Sequence, residues 1–267
     1  MESIRIQTWE QFICLISQFD GWIFRGQEDA NWSLDSSLSR YLAQYIPDAR
    51  EWPTREERAL RIFRRKAHNF LDDPTVLDDD LRCLALMQHH GARTRMLDFT
   101  KSPFVAAFFA VFVAAFFAVC DAKNDCAVFA LDTPKLWRRS PMQDPDLTRS
   151  TIDPRAKGNF AKYFLPNAHE LLWVGEPRQM DRRLVAQSGT FVVPGVLNKA
   201  LDQIIDNYQA DQSLIKKITL SQSMRFEAMQ ALYRMNITHS TLFPDLDGLA
   251  RSMAYELEMT WVGYKND

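Results

Sequence analysis

"TRMLDFTKSPFVAAFFAVFVAAFFAVC" spans residues 94–120, and its two halves ask for different structures. "TRMLDFT" reads as an extended piece. Ser102 then reads as an N-cap and Pro103 as the first residue of a helix, because a hydroxyl accepts an orphan N–H and proline has none to lose. No residue from Ser102 to Cys120 carries a charge. A helix of that length would be roughly 27 Å long, close to the roughly 30 Å of a bilayer core. The run is rich in alanine, its flanks lack a Trp/Tyr belt or a one-sided lysine cluster, and it follows directly on a polar segment. It is therefore read as the central helix of a protein core and not as a membrane span.

The octapeptide FVAAFFAV at 104–111 recurs letter for letter at 112–119. Eight helical residues return the second copy rotated by roughly 80° and displaced by about 12 Å, so equivalent phenylalanines occupy different faces. A packed core resists such an insertion. Two origins stay open: a native, longer helix that accommodates both copies, or an in-frame tandem duplication that weakens a harmful protein.

Outward from this stretch, helical periodicity and capping signals recur. "TWEQFICLISQF" at 8–19 has capping-box spacing from Thr8 to Gln11 and an apolar stripe of Trp9, Phe12, Ile13, Ile16 and Phe19. "PTREERALRIFRRKAHNF" at 53–70 repeats that logic with Thr54 and Glu57, and its spacing turns Leu60, Phe63, Ala67 and Phe70 inward. A third helix covers 79–90 and stops at Gly91. "WIFRG" and "CAVFAL" read as strands, as do "HELLWV", "GTFVVP" and "SLIKKITL" further on. Helices are predicted in "RQMDRRLVAQ", "LNKALDQIIDNY", "SQSMRFEAMQALYRMN" and "DLDGLARSMAYELEM", while 133–160, rich in proline and charge, reads as a long surface loop. The sum is a mixed α/β or α+β fold.

At 267 residues the chain is long enough to bury a core without disulfides or metal. A formal net charge of -2 excludes the global basic field of a protein that coats nucleic acid non-specifically. Cys14, Cys83, Cys120 and Cys126 have no C-x-x-C spacing, and "MESIRIQTWEQ" lacks the basic flank and apolar region of a secretory signal. Reduced thiols and a cytoplasmic location are expected. "HHxxxxRxxD" from His89 to Asp98 lacks metal-ligand spacing, so no metal is expected.

Four blocks, in order, carry a resemblance: "GWIFRGQEDANWSLDSSLSR" at 21–40, "ALMQHHGARTRMLDFTKSPFVAAFFA" at 85–110, "RLVAQSGTFVV" at 183–193 and "NITHSTLFPDLDGLA" at 236–250. Together they resemble the FRG domain, a bacterial family named for the triplet Phe24, Arg25 and Gly26. The chain departs from the family in its extra octapeptide and in Ala92-Arg93, where such proteins tend to carry a Leu-Pro pair. The resemblance implies one domain over 1–267, strongest at 20–132, supported at 160–262 and interrupted by the surface loop at 133–160. It also implies a mixed sheet core of ADP-ribosyltransferase-like type, with many surrounding helices and one long buried apolar helix.

The activity so implied is transfer of ADP-ribose from NAD, used as a substrate, to a nucleic-acid or protein acceptor, in a toxin or phage-defence effector. An antitoxin or chaperone is the implied partner. Catalytic roles fall to Arg25, Thr100, Gln187 and Asp98. Contact with NAD falls to Arg25, Gly26, Gln27, His89, Thr94 and Arg95. Cleavage through an oxocarbenium-like sugar needs a grip on the diphosphate and negative character near the ribose. Arg25 suits the first as a bidentate clamp, and Gly26 would let backbone approach a ligand closely. Gln187 carries no charge, so Glu170, Glu176 or Asp98 is left to supply the second. Arg25 also has a structural reading as the ion-pair partner of Asp98, and Trp22 and Trp32 read as core before base-stacking surfaces. Two rivals remain. One is a metal-independent ribonuclease with His89 or His90 as acid and base and Arg95 on the phosphate. The other is a non-catalytic module bound by an antitoxin or chaperone.

Overall fold

The computed structural model describes residues 1–112, 124–208 and 214–258. The second octapeptide copy beyond Phe112, with Cys120, lies outside the described residues. The strands are β1 (Glu2–Ile6), β2 (Ile23–Gln27), β3 (Leu97–Thr100), β4 (Cys126–Leu131), β5 (Leu172–Gly175), β6 (Gly189–Pro194) and β7 (Ile215–Leu220). Helices α1 (Trp9–Ile16), α2 (Ser37–Tyr45), α3 (Trp52–Ala67), α4 (Asp80–His89) and α5 (Pro103–Phe112) belong to the first half. The second half holds α6 (Thr133–Leu136), α7 (Arg182–Ala186), α8 (Leu201–Asp206), α9 (Arg225–Arg234), α10 (His239–Leu242) and α11 (Leu246–Glu258).

All seven strands join one mixed sheet in the order β1-β7-β4-β2-β3-β6-β5, in which β1 and β7 run parallel and every other neighbour is antiparallel. The mixed α/β expectation is met. β4 is buried at every position, because helices cover both of its faces and leave no polar side to the strand.

The two faces of the sheet differ in a way that matters for the site. One carries a continuous core from Leu131 and Ile215 across Leu97 to Val192 and Leu172, closed by α8. The other carries two separate cores. Phe24, Val128 and Ile218 pack with α1, α5 and α9, whereas Trp173, Phe191 and Val193 pack with α3 and α4. The division falls between β2 and β3, which are paired only at Phe24 and Thr100.

α5 starts as expected: Ser102 Oγ accepts from Val105 N at 3.3 Å, and Pro103 is the first helical residue. Its apolar surface is consumed by β2 and α9, with Val105–Phe108 and Ala110–Phe112 buried. Among the described residues no helix is long and apolar enough to cross a membrane.

Three local expectations are corrected. Thr54 and Glu57 form no capping box, because α3 starts at Trp52, whose ring is buried and donates to Ile46 O at 2.9 Å. Phe70 lies beyond that helix and is 85% exposed instead of facing inward. The 133–160 stretch is not a simple surface loop. It begins with α6, buries Ile152 and Phe160, and is tied to the sheet where Arg149 Nε donates to Val174 O at 3.1 Å.

Candidate functional site

Where β2 and β3 part, the sheet opens into a cleft of about 420 Å³. The register at Phe24 and Thr100 would next set Arg25 against Phe99 and Gly26 against Asp98, but those pairs do not form. Instead Arg25 Nη1 donates to the Asp98 carbonyl at 2.7 Å, replacing a ladder bond with a side-chain one. The opening is therefore fixed by Arg25, and the expected Arg25–Asp98 carboxylate pair is not what holds it.

Arg25 is left with its buried Nε unpartnered. Burial pushes its pKa down, the nearby Asp98 charge pulls it back up, and Arg40 adds to the depression. Arg183, on α7, is also lowered by burial and supported by Asp98 and Asp181. Two crowded cations without full compensation favour an incoming anion. Arg40 and Arg251 line the same cleft, so four arginines face the carboxylates of Glu28, Asp98 and Asp181. Asp181 is engaged as the α7 N-cap, accepting from Leu184 N at 2.7 Å, and lies 3.4 Å from His89 Nδ1. Glu28 and Asp98 have no side-chain hydrogen bond among the described residues, which leaves both carboxylates to act on a ligand. The apolar walls come from Phe24, Phe99, Phe109, Phe191 and Phe243, with the Arg183 guanidinium 4.4 Å from the Phe243 ring.

Of the residues expected at the site, Arg25, Gly26, Gln27, His89, Asp98, Thr100 and Gln187 line this cleft. Thr100 Oγ1 donates to Gln187 O at 2.7 Å, tying β3 to the end of α7, and Gln187 Nε2 donates to Leu242 O at 3.1 Å. The Gln27 side chain is buried, donates to Ser33 O at 3.3 Å and leaves its Oε1 unpartnered.

Gly26 meets the helix more closely than any ligand: a Cβ there would sit 2.0 Å from Ala106 O and 2.6 Å from Ala110 N. Its smallness serves the approach of α5 to β2, which corrects the reading that it admits a ligand. Thr94 and Arg95 are also corrected. Thr94 is buried, its hydroxyl donating to Gln88 Oε1 and accepting from Met96 N at 3.2 Å. Arg95 is 0% exposed, pairs with Glu56 through two bonds, and donates to Pro194 O at 3.0 Å and Gly195 O at 3.2 Å. Neither lines the cleft, because the chain between α4 and β3 must be anchored to the interior before β3 begins.

The open choice of carboxylate narrows. Glu170 pairs with Lys199 and Asn207, and Glu176 with Lys101 at 2.7 Å, both outside the cleft. Asp98 remains, joined by Glu28, which had not been singled out although it follows directly on "FRGQ". His90 lines a separate apolar groove between α3 and α4, although its ring lies 5.0 Å from that of His89. Trp22 packs on Phe19 at 4.6 Å as a core residue, whereas Trp32 lines the cleft mouth and is 44% exposed. Arg183 and Phe243 were within reach of the sequence, in the "RLVAQSGTFVV" and "NITHSTLFPDLDGLA" blocks; Arg251 was not, since only the chain's return through α11 brings it here. Among the described residues no cluster of His, Cys, Asp or Glu has the makings of a metal site.

No curated protein and no solved structure matches the chain. The family comparison instead picks out the segment running from just before β2, through α2, α3, α4 and β3, to the end of α5. These residues, 20–112, match the model of the FRG domain.

Proposed function

We propose that the cleft binds NAD and transfers its ADP-ribose unit to an acceptor. The observation that carries this reading is Arg25, lodged where β2 and β3 part, with a buried Nε that no group among the described residues satisfies. A phosphate oxygen supplies the missing acceptor, and Arg183 provides a second cation for a diphosphate. The phenylalanine walls suit flat rings. Asp98 and Glu28 offer negative charge for a ribosyl cation.

In this reading the glycosidic C1′–N bond breaks with its electron pair leaving on the nicotinamide nitrogen. Asp98 stabilises positive charge at C1′, the acceptor's nucleophilic atom attacks that carbon, and its proton passes to a carboxylate or water. Thr100 acts as a positioning residue, because its hydroxyl holds the α7 end against β3.

Nicotinamide release from NAD, followed by chromatography, tests the reading. Asp98→Asn removes the charge but keeps the backbone carbonyl that receives Arg25, so the fold is retained while release falls by about 10²-fold or more, the usual effect of losing one transition-state contact. No release by the folded wild-type chain would overturn the proposal.

A further inference from the structure

The mouth of the cleft continues into a ridge of exposed aromatic rings interleaved with arginines. Trp32 stands at the mouth, with the Arg40 guanidinium 5.9 Å from its ring. Tyr41 follows on α2, with Arg93 4.6 Å from its ring, and Tyr45, one turn on, is 4.7 Å from Tyr41. The rings are 44%, 41% and 58% exposed, while the opposite face of α2 is buried through Leu38, Ser39 and Leu42.

Water is a poor solvent for three such rings, and beyond the flanking Arg40 and Arg93 and the Tyr41–Tyr45 contact each keeps a large share of its surface exposed. Neither Arg40 nor Arg93 forms an ion pair among the described residues, so the ridge is cationic as well as aromatic. The Arg40 charge is felt at Arg25, which makes the ridge electrostatically continuous with the cleft floor.

We propose that this ridge is a platform for a single strand of nucleic acid, whose bases stack on Trp32, Tyr41 and Tyr45 while Arg40 and Arg93 contact its phosphates. Each base has a π-face and each linkage a negative charge, so alternating rings and guanidiniums match a single strand without reading its sequence. A duplex hides its base faces, and an acidic peptide would satisfy the arginines but leave the rings uncovered. That the strand is also the ADP-ribose acceptor rests on the transferase reading; that it binds does not.

The test is fluorescence anisotropy of labelled 15-nucleotide dT and U strands with the full chain, in the absence of NAD. The expected result is binding of at least one strand, weakened roughly 5- to 100-fold by Trp32→Ala or Tyr41→Ala, the range usual for losing one stacked base. Arg40→Gln with Arg93→Gln should also flatten the log–log salt dependence by about 1.4, two phosphate contacts at about 0.7 each. A structural role would not change that slope. Absence of binding to both strands, or equal binding by variants that melt like wild type, overturns the platform. A strand that binds but takes no label from NAD upholds the platform and removes the strand as the ADP-ribose acceptor.

Discussion

Arg25 and Arg95 are two arginines of motif-rich blocks with opposite fates, decided by what each finds within hydrogen-bond reach. Arg95 finds Glu56 and two carbonyls in the interior. Breaking a buried pair strands the remaining charge, at a cost of about 3–5 kcal/mol. Glu56→Ala should therefore lower the melting temperature by roughly 6 °C or more in a domain of this size, and Arg95→Ala likewise, with a loss of activity no greater than the loss of fold. Gly26→Ala should destabilise by about 1–3 kcal/mol, because its Cβ would meet helix backbone that has no rotamer to give. His239 sets a pH dependence. Burial, aided by Arg251, holds its folded pKa below the ordinary 6.5, so the unfolded chain takes the proton first and stability declines as pH falls below about 6.5 towards the folded pKa. Thermal melts between pH 7.5 and 5 should show this, and His239→Phe, which keeps a ring against Phe108 and Phe243, should remove His239's share of it. At this scale the sequence tells which residues are chemically able, since Arg25, Asp98 and Gln187 were all named from it. It does not tell an inward arginine from a cleft one, because burial is decided by β6 and α3, far away in the chain.

Elements were legible where a local signal was complete. Ser102-Pro103 capped α5, and Gly91 ended α4 with a φ of 82°. The signal failed where a tertiary contact outbid it. α3 begins two residues before Thr54 because burying Trp52 against Leu38, Leu42 and Leu197 stabilises an earlier start. β1 was not foreseen, since "ESIRI" gains its identity from pairing with β7 at the other end of the chain. The repeat also takes a definite part in the packing: Phe112, the first residue of the second copy, stacks on Phe108 at 4.4 Å and meets His239 at 5.8 Å. Phe112→Ala should cost about 3 kcal/mol or more by chemical denaturation, as for other buried phenylalanines. A neutral result would mean that Phe112 contributes nothing to the core.

For the whole molecule, the cleft follows from a sheet that is continuous on one face and divided on the other. Helices α4 and α5 pack on either side of the division, and α7, α10 and α11 close its rim, so five elements scattered over the chain converge on one opening. Periodicity gave every strand but β1, and not their order, and without the order the cleft between β2 and β3 has no address. The proposed chemistry consumes NAD in this opening. The most direct measurement is transfer of radiolabel from adenylate-labelled NAD into single-stranded nucleic acid and into protein, by the wild-type chain and by Arg25→Lys and Asp98→Asn forms that melt normally. The account predicts label in the nucleic acid with the wild type and about 10²-fold less with either variant. Equal labelling by all three forms, or none by any, would contradict it.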